Sequence, residues 1–209
     1  MITMAGTIGA GKTSLAQKLA EHLGTESFLE PVADNPILPK FYADSKKYGF
    51  LLQIYFLNKR FDMIKAAQSH PNNVLDRSIY EDSVFTNLNY RLGNINDQEK
   101  AVYNSLLKNM MQELPKSTRK KKPDLMVFID IDLEHQLEHI KSRGRKFEQI
   151  QNDDKLLNYY KQLQKAYEKW YDNYRESPKM KINGNRYDYV NNPADLVEVL
   201  RQIEYHVMK

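Results

Sequence analysis

Gly6-Thr7-Ile8-Gly9-Ala10-Gly11-Lys12-Thr13 has the spacing G-x-x-x-x-G-K-[ST], that of a loop built to hold phosphate. Glycines let the backbone turn tightly, so that successive N–H groups point inward at phosphate oxygens. A helix starting behind the loop adds partial positive charge. Lys12 has the reach for β- and γ-phosphates, and the Thr13 hydroxyl can ligate Mg²⁺. Two carboxylates belong to the same chemistry. Glu30 closes an apolar segment and could accept a proton from an attacking hydroxyl. Asp76 precedes Arg77, which offers an acid for Mg²⁺ and a fixed positive charge for the transferred group.

The elements that must position these groups alternate between strand and helix. Met1–Ala5 forms the strand entering the loop. Leu15, Leu19 and Leu23 define the helix leaving it, with Gly24 as its stop. A second strand, Glu26–Glu30, ends before Pro31. Asn35-Pro36 opens a short helix through Tyr42. A long helix from Tyr48 to Gln68 carries Leu51, Ile54, Leu57, Phe61 and Ile64 on its core stripe. Gln53 and Arg60, seven residues apart, share a face of that helix; they either line a cavity or stand exposed, and spacing does not decide which. Asn73–Asp76 is a third strand, placing Asp76 and Arg77 at the carboxyl end, where open α/β sheets bind ligands. Ser78 to Glu81 has capping-box spacing, predicting a helix from Ser78 to about Leu92 with Gly93 as its stop. Asp82 would then compensate the dipole of that first turn.

Gln98–Leu114 is helical in pattern, with Val102, Leu106 and Met110 on one face and 117–122 as a basic solvated loop. Asp124–Ile131 is a near-continuous apolar run, as in a parallel strand covered on both faces. Leu133, Leu137 and Ile140 define a helix ending near Gly144. Arg143 and Arg145 sit at its C-terminus, where spacing alone favours a dipole interaction over a mobile lid. Leu156, Tyr160, Leu163, Tyr167, Trp170 and Tyr174 mark a long amphipathic helix whose aromatic stripe suits core or subunit contact. Lys179–Asn183 and Leu196–Val207 supply a fifth strand and a closing helix. The sum is an α/β three-layer sandwich with a five-stranded parallel sheet, with residues 1–209 as one domain.

Composition narrows the chemistry. The 209 residues carry a formal net charge of +4, with 41% hydrophobic and 28% charged residues. This mild basic excess suits nucleotides rather than nucleic acid. The absence of cysteine excludes disulfides, thiol catalysis and thiolate-bound metals. With no apolar run of membrane-spanning length and no visible signal peptide, the expected address is the cytoplasm, away from membranes. A GTP switch would need Asn-Lys-x-Asp; Asn58-Lys59-Arg60-Phe61-Asp62 has its aspartate one position late, and Asp-x-x-Gly is absent. A small kinase fits best. Its rivals are a nucleoside monophosphate kinase of the same fold, which would need acceptor-site arginines where this chain has Glu30 and Tyr42, and a nucleotide-binding regulator without turnover.

Together the phosphate loop, Glu30-Pro31-Val32, the segment Asp76–Asp82 and Arg143-Gly144-Arg145 resemble the deoxyribonucleoside kinase family. Asp34–Pro39, Tyr48-x-Phe50-Leu51-Leu52-Gln53, Asn109-Met110-Met111 and Ser177–Met180 resemble more closely its bacterial deoxyadenosine/deoxyguanosine kinases of the lactobacillus type. The resemblance covers nearly the whole chain and implies a fold of the P-loop nucleoside/nucleotide kinase type. It implies ATP as phosphate donor with Mg²⁺, and a purine deoxynucleoside, deoxycytidine being the further candidate, as acceptor in nucleotide salvage. It implies Glu30 as base at the 5′-hydroxyl, with Arg77 near the 5′-oxygen and Asp76 with Mg²⁺. Tyr42 and Glu148 would hold the 3′-hydroxyl and crowd a 2′-hydroxyl. Gln53, Arg60 and Asp82 would read the base, a polar set that disfavours thymine. Arg143 and Arg145 would be lid arginines, with the lid around 139–150. A homodimer or a heterodimer with a related subunit is implied, as is feedback binding of a deoxynucleoside triphosphate. The chain departs from the pattern at His139, where the family often has another lid arginine; the departure bears on the grip of the lid, and the imidazole could equally face solvent.

Overall fold

A computed structural model describes residues 1–32, 34–117, 122–151 and 153–207. Five parallel strands are ordered β2-β3-β1-β4-β5: β1 Ile2–Ala5, β2 Ser27–Phe28, β3 Val74–Asp76, β4 Leu125–Asp130 and β5 Lys179–Asn183. β1 lies at the centre, with Met4 opposite both Asp76 and Val127. That register brings the loop after β1 and the residues after β3 to the same edge of the sheet.

The central strands are buried on both faces, so each face needs a cover. On one side α1 (Lys12–Leu23) and α8 (Pro193–Val207) lay Leu15, Leu19, Val199 and Ile203 against Ile2, Met4 and Val127. On the other side lie α3 (Ser45–Ala67), α4 (Asp82–Arg91), α5 (Asp97–Ser117) and α7 (Asp154–Asn173). α3 and α5 bury Leu57, Ile64 and Tyr103 with Leu75; α4 and α7 bury Leu88, Leu163 and Tyr167 with Met126 and Phe128. Two further helices, α2 (Leu38–Ala43) and α6 (Leu133–Arg143), flank the carboxyl ends of the strands. This is the expected three-layer α/β sandwich with a five-stranded parallel sheet.

Several local expectations are corrected. β2 is only two residues long, so Glu30 lies beyond it rather than at its end. Ser78 caps no helix: α4 begins at Asp82, preceded by a turn in which the Ser78 carbonyl accepts the Glu81 N–H at 3.3 Å. The capping box fails because the Glu81 carboxylate is claimed by Arg77 instead of reaching back. α3 starts three residues early, at Ser45, because the Asp44 side chain accepts the Lys47 N–H at 3.0 Å. Leu51 is 49% exposed and Val102 56%; the inward positions are Leu52, Phe56 and Tyr103. The aromatic stripe of α7 is core at Tyr160, Leu163 and Tyr167. Of the basic loop 117–122, residues 118–121 lie outside the described residues; Lys122 is exposed and pairs with Glu176 at 3.2 Å.

Candidate functional site

The phosphate loop joins β1 to α1 with φ of +142° at Gly6 and +78° at Gly9, values that side chains with a Cβ rarely adopt. Space is short as well: a Cβ on Gly6 would meet the Ile129 carbonyl oxygen at 2.8 Å, and one on Gly9 the Ile140 side chain at 2.9 Å. The first-turn N–H groups of α1 lack intrahelical acceptors, leaving them free for an anion. Lys12 is buried and donates to the Thr7 carbonyl at 2.7 Å. Burial, reinforced by Arg77, pulls its ammonium down to about 7, against the opposing pull of Asp76, Glu81 and Glu30.

Thr13 donates its hydroxyl to Asp76 Oδ2. The other oxygen of this 3% exposed carboxylate, Oδ1, is buried without a hydrogen-bond partner among the described residues. A hydroxyl beside a half-satisfied buried carboxylate suits a hard cation such as Mg²⁺, which takes one or two protein oxygens and completes its shell from phosphate and water. No cluster of three or more His, Asp or Glu positioned for a metal occurs among the described residues.

Arg77 follows β3 in the left-handed region, with φ +72°, a conformation unusual for a residue with a side chain. Its guanidinium is 3.0 Å from Glu30 Oε2 through Nε; Nη1 reaches the Gly6 carbonyl at 3.0 Å, Glu81 at 3.2 Å and the Tyr167 hydroxyl. Glu30 Oε1 accepts from Arg60 Nη2, and Arg60 Nη1 donates to Asp82 Oδ2. Side chains of α3, α4 and the segments that follow β2 and β3 thus converge on one buried ionic chain, Asp82–Arg60–Glu30–Arg77–Glu81. Burial alone would raise the Glu30 carboxyl, but Arg60, Arg77 and Lys12 outweigh it and hold Glu30 below the ordinary glutamate value. For Glu81 and Asp82 burial wins, and both are raised despite their arginines.

One cavity connects these groups. It is lined by Ile8, Gly9, Lys12 and Thr13 at one end and by Gln53, Arg60 and Phe85 at the other, with Glu30, Asp76 and Arg77 between. Tyr42, Arg143, Arg145 and Glu148 also line it. Gln53 and Arg60 are 2% and 1% exposed, so the exposed alternative for this pair is wrong. The Arg60 guanidinium lies 5.1 Å from the Phe56 ring and 5.9 Å from the Phe85 ring. Asp82 does not line the cavity: it is fully buried behind Arg60, and its ion pair, rather than the helix dipole, accounts for its place. Gly6, Thr7, Ala10 and Gly11 are likewise not among the residues that line it.

Arg143 and Arg145 are no mere dipole partners, since both reach Glu148, Arg143 through Nη2 and Arg145 at 3.4 Å. Glu148 ends a short 3₁₀ turn, Lys146–Glu148, and Tyr160 donates to its carbonyl at 2.9 Å. His139 does not simply face solvent. Its Nδ1 is 2.8 Å from the Gly9 carbonyl, tying α6 to the phosphate loop.

Sequence reasoning missed Glu81, Phe85, Tyr103, Tyr159 and Tyr167. Glu81 had a legible signal, lying four residues after Arg77, although the spacing was assigned to a cap. The aromatic residues sit on helices where core packing and site building look alike.

The deoxynucleoside kinase family model matches residues 2–208. A deoxyguanosine kinase of Lactobacillus acidophilus is 50% identical over 97% of this chain and 89% of its own length. A deoxyadenosine kinase of the same organism is 48% identical over 98% and 94%. Among solved structures, deoxyadenosine kinase from M. mycoides with bound dATP superposes with a TM-score of 0.79, at 28% identity, over 97% of this chain and 98% of that one. The chain belongs to the deoxynucleoside kinase family.

Proposed function

We propose that this kinase transfers the γ-phosphate of ATP to the 5′-hydroxyl of a purine deoxynucleoside, deoxyadenosine or deoxyguanosine, with deoxycytidine as a further acceptor. The observation that carries the reading is the single cavity running from Lys12 and Thr13, past Glu30 and Arg77, to Gln53 and Arg60. It has a phosphate end, a carboxylate in the middle and a polar, aromatic-walled end sized by Leu52, Phe56 and Phe85.

In this reading the loop Gly6–Thr13 and Lys12 hold the donor phosphates. Glu30 takes the proton of the 5′-hydroxyl as the 5′-oxygen bonds to the γ-phosphorus and the bond to the β-phosphate bridging oxygen breaks, releasing ADP. A carboxylate with a lowered pKa is a weak base, but phosphoryl transfer asks little of it before the phosphoryl group has largely left its donor. Arg77, fixed by four acceptors, steadies charge on the transferred group. Thr13 and Asp76 would hold Mg²⁺, which neutralises charge on the phosphates. Tyr42 and Glu148 hold the 3′-hydroxyl. Gln53 and Arg60, with Asp82 behind, read the base; an amide that both donates and accepts suits a purine edge. Arg143 and Arg145 exchange Glu148 for donor phosphate when residues 139–150 close as a lid. A dimer in the cytoplasm, inhibited by a deoxynucleoside triphosphate in the same cavity, completes the reading; the dATP held by the M. mycoides relative supports that last point.

The test is Glu30→Gln. Turnover should fall by about 10²- to 10⁴-fold, the usual contribution of a positioned base, while ATP affinity stays within about twofold. Unchanged turnover would remove Glu30 from the mechanism.

A further inference from the structure

The two side chains assigned to the base, Arg60 and Gln53, both belong to α3, yet what orients them comes from elsewhere. Arg60 is held only through its terminal nitrogens, Nη1 by Asp82 and Nη2 by Glu30, because its Nε is buried without a partner among the described residues. The direction of the guanidinium therefore depends on where Asp82 is fixed. Asp82 is fixed from behind: its Oδ1 accepts the hydroxyl of Tyr103, a side chain of α5 that is fully buried and does not reach the cavity. Thr86, also fully buried, has a single hydroxyl proton to give either to the Tyr103 oxygen or, at 3.5 Å, to Gln53 Oε1. Tyr103 thus stands behind Arg60, reaching it through Asp82.

We propose that Tyr103 is a positioning residue for base selectivity, its hydroxyl setting the orientation of Arg60 through Asp82. The inference rests on the reading that Arg60 faces the base. Removing the hydroxyl leaves a buried carboxylate oxygen without a donor, and such a group relaxes by rotating or taking up a proton. Either response turns Arg60 away from Asp82. Phenylalanine keeps the ring that packs against Leu57, Ile64 and Leu75.

The experiment compares wild type, Tyr103→Phe and Thr86→Val, measuring kcat and KM separately for deoxyadenosine, deoxyguanosine, deoxycytidine and thymidine, and KM for ATP. In Tyr103→Phe, KM for the preferred deoxynucleoside should rise about tenfold or more, the scale of losing one hydrogen bond to a buried charge. The preference over the poorest acceptor should narrow to a similar extent, with KM for ATP unchanged. Thr86→Val should show a smaller change of the same kind, and it carries the test if Tyr103→Phe does not fold. Unchanged selectivity, or a fall in kcat common to all acceptors with KM unmoved, overturns the role of Tyr103 and leaves the proposed reaction standing. A wild type that phosphorylates no deoxynucleoside overturns both.

Discussion

At the scale of single residues, the site is a set of charges that burial makes interdependent. Arg60 serves two carboxylates at once, so Arg60→Met would leave Asp82 fully buried with only a tyrosine hydroxyl for company. Removing one partner of a buried pair costs about 3–5 kcal/mol; denaturant unfolding should show a loss of that size, together with a raised KM for deoxynucleoside. Lys12 gives a prediction about protons. With its pKa lowered to about 7 by burial, the unfolded chain binds the extra proton between pH 7 and the ordinary lysine range. Stability of the ligand-free protein should therefore rise with pH across that window, by up to about 1.4 kcal/mol per pH unit from this group. Lys12→Met should lack that part of the slope. Polyphosphate favours the ammonium form, so ATP binding at pH 8 should take up close to one proton, measurable by calorimetry in buffers of different ionisation enthalpy. Glu30 has the opposite sign. Held below the ordinary glutamate value, it stays ionised until the pH falls below that range, so an acid limb of kcat/KM from this base should lie under about pH 4.5. Residue types and order made Lys12, Glu30 and Arg77 legible in the sequence. Their pairing was not, because contacts such as the Arg60–Glu30 ion pair and the Arg77–Tyr167 hydrogen bond join residues 30 and 90 positions apart.

At the scale of elements, the site depends on how closely α6 is packed to the phosphate loop. His139 meets the Gly9 carbonyl, and a Cβ on Gly9 would press on Ile140 at 2.9 Å and the Gln136 carbonyl at 3.0 Å. Gly9→Ala also meets a left-handed backbone, at about 1–2 kcal/mol. ATP affinity should fall by at least about tenfold, with deoxynucleoside affinity retained; equal losses of both would mean that the loop and the acceptor end are one unit. Strong periodicity and stop residues made most helices readable, and Gly24, Gly93 and Gly144 do mark helix ends with positive φ. The start of α4 was misread because a buried guanidinium outcompetes a backbone N–H for Glu81. On α3 and α5 single positions were misplaced, Leu51 for Leu52 and Val102 for Tyr103, where adjacent apolar residues compete for the inward face, while Leu57 and Ile64 are buried as read.

At the scale of the molecule, the order β2-β3-β1-β4-β5 brings the ends of β1 and β3 together, and the cavity opens there. Alternation of strand and helix was enough to read that architecture, whereas the cavity was not readable, since its walls come from α2, α3, α4, α6 and α7 at once. Occupying it should stabilise the whole fold. A ligand at about 100 times its Kd contributes about 2.7 kcal/mol, which in a chain of this length raises Tm by about 5–10 °C; a thermal scan with and without ATP would register this. The most direct test of the account is kcat/KM, with ATP and Mg²⁺, for deoxyadenosine, deoxyguanosine, deoxycytidine, thymidine, adenosine and AMP. The account predicts deoxyadenosine or deoxyguanosine at least about tenfold above thymidine and adenosine, with AMP inert. Phosphorylation of AMP alone, or thymidine as the preferred acceptor, would contradict it.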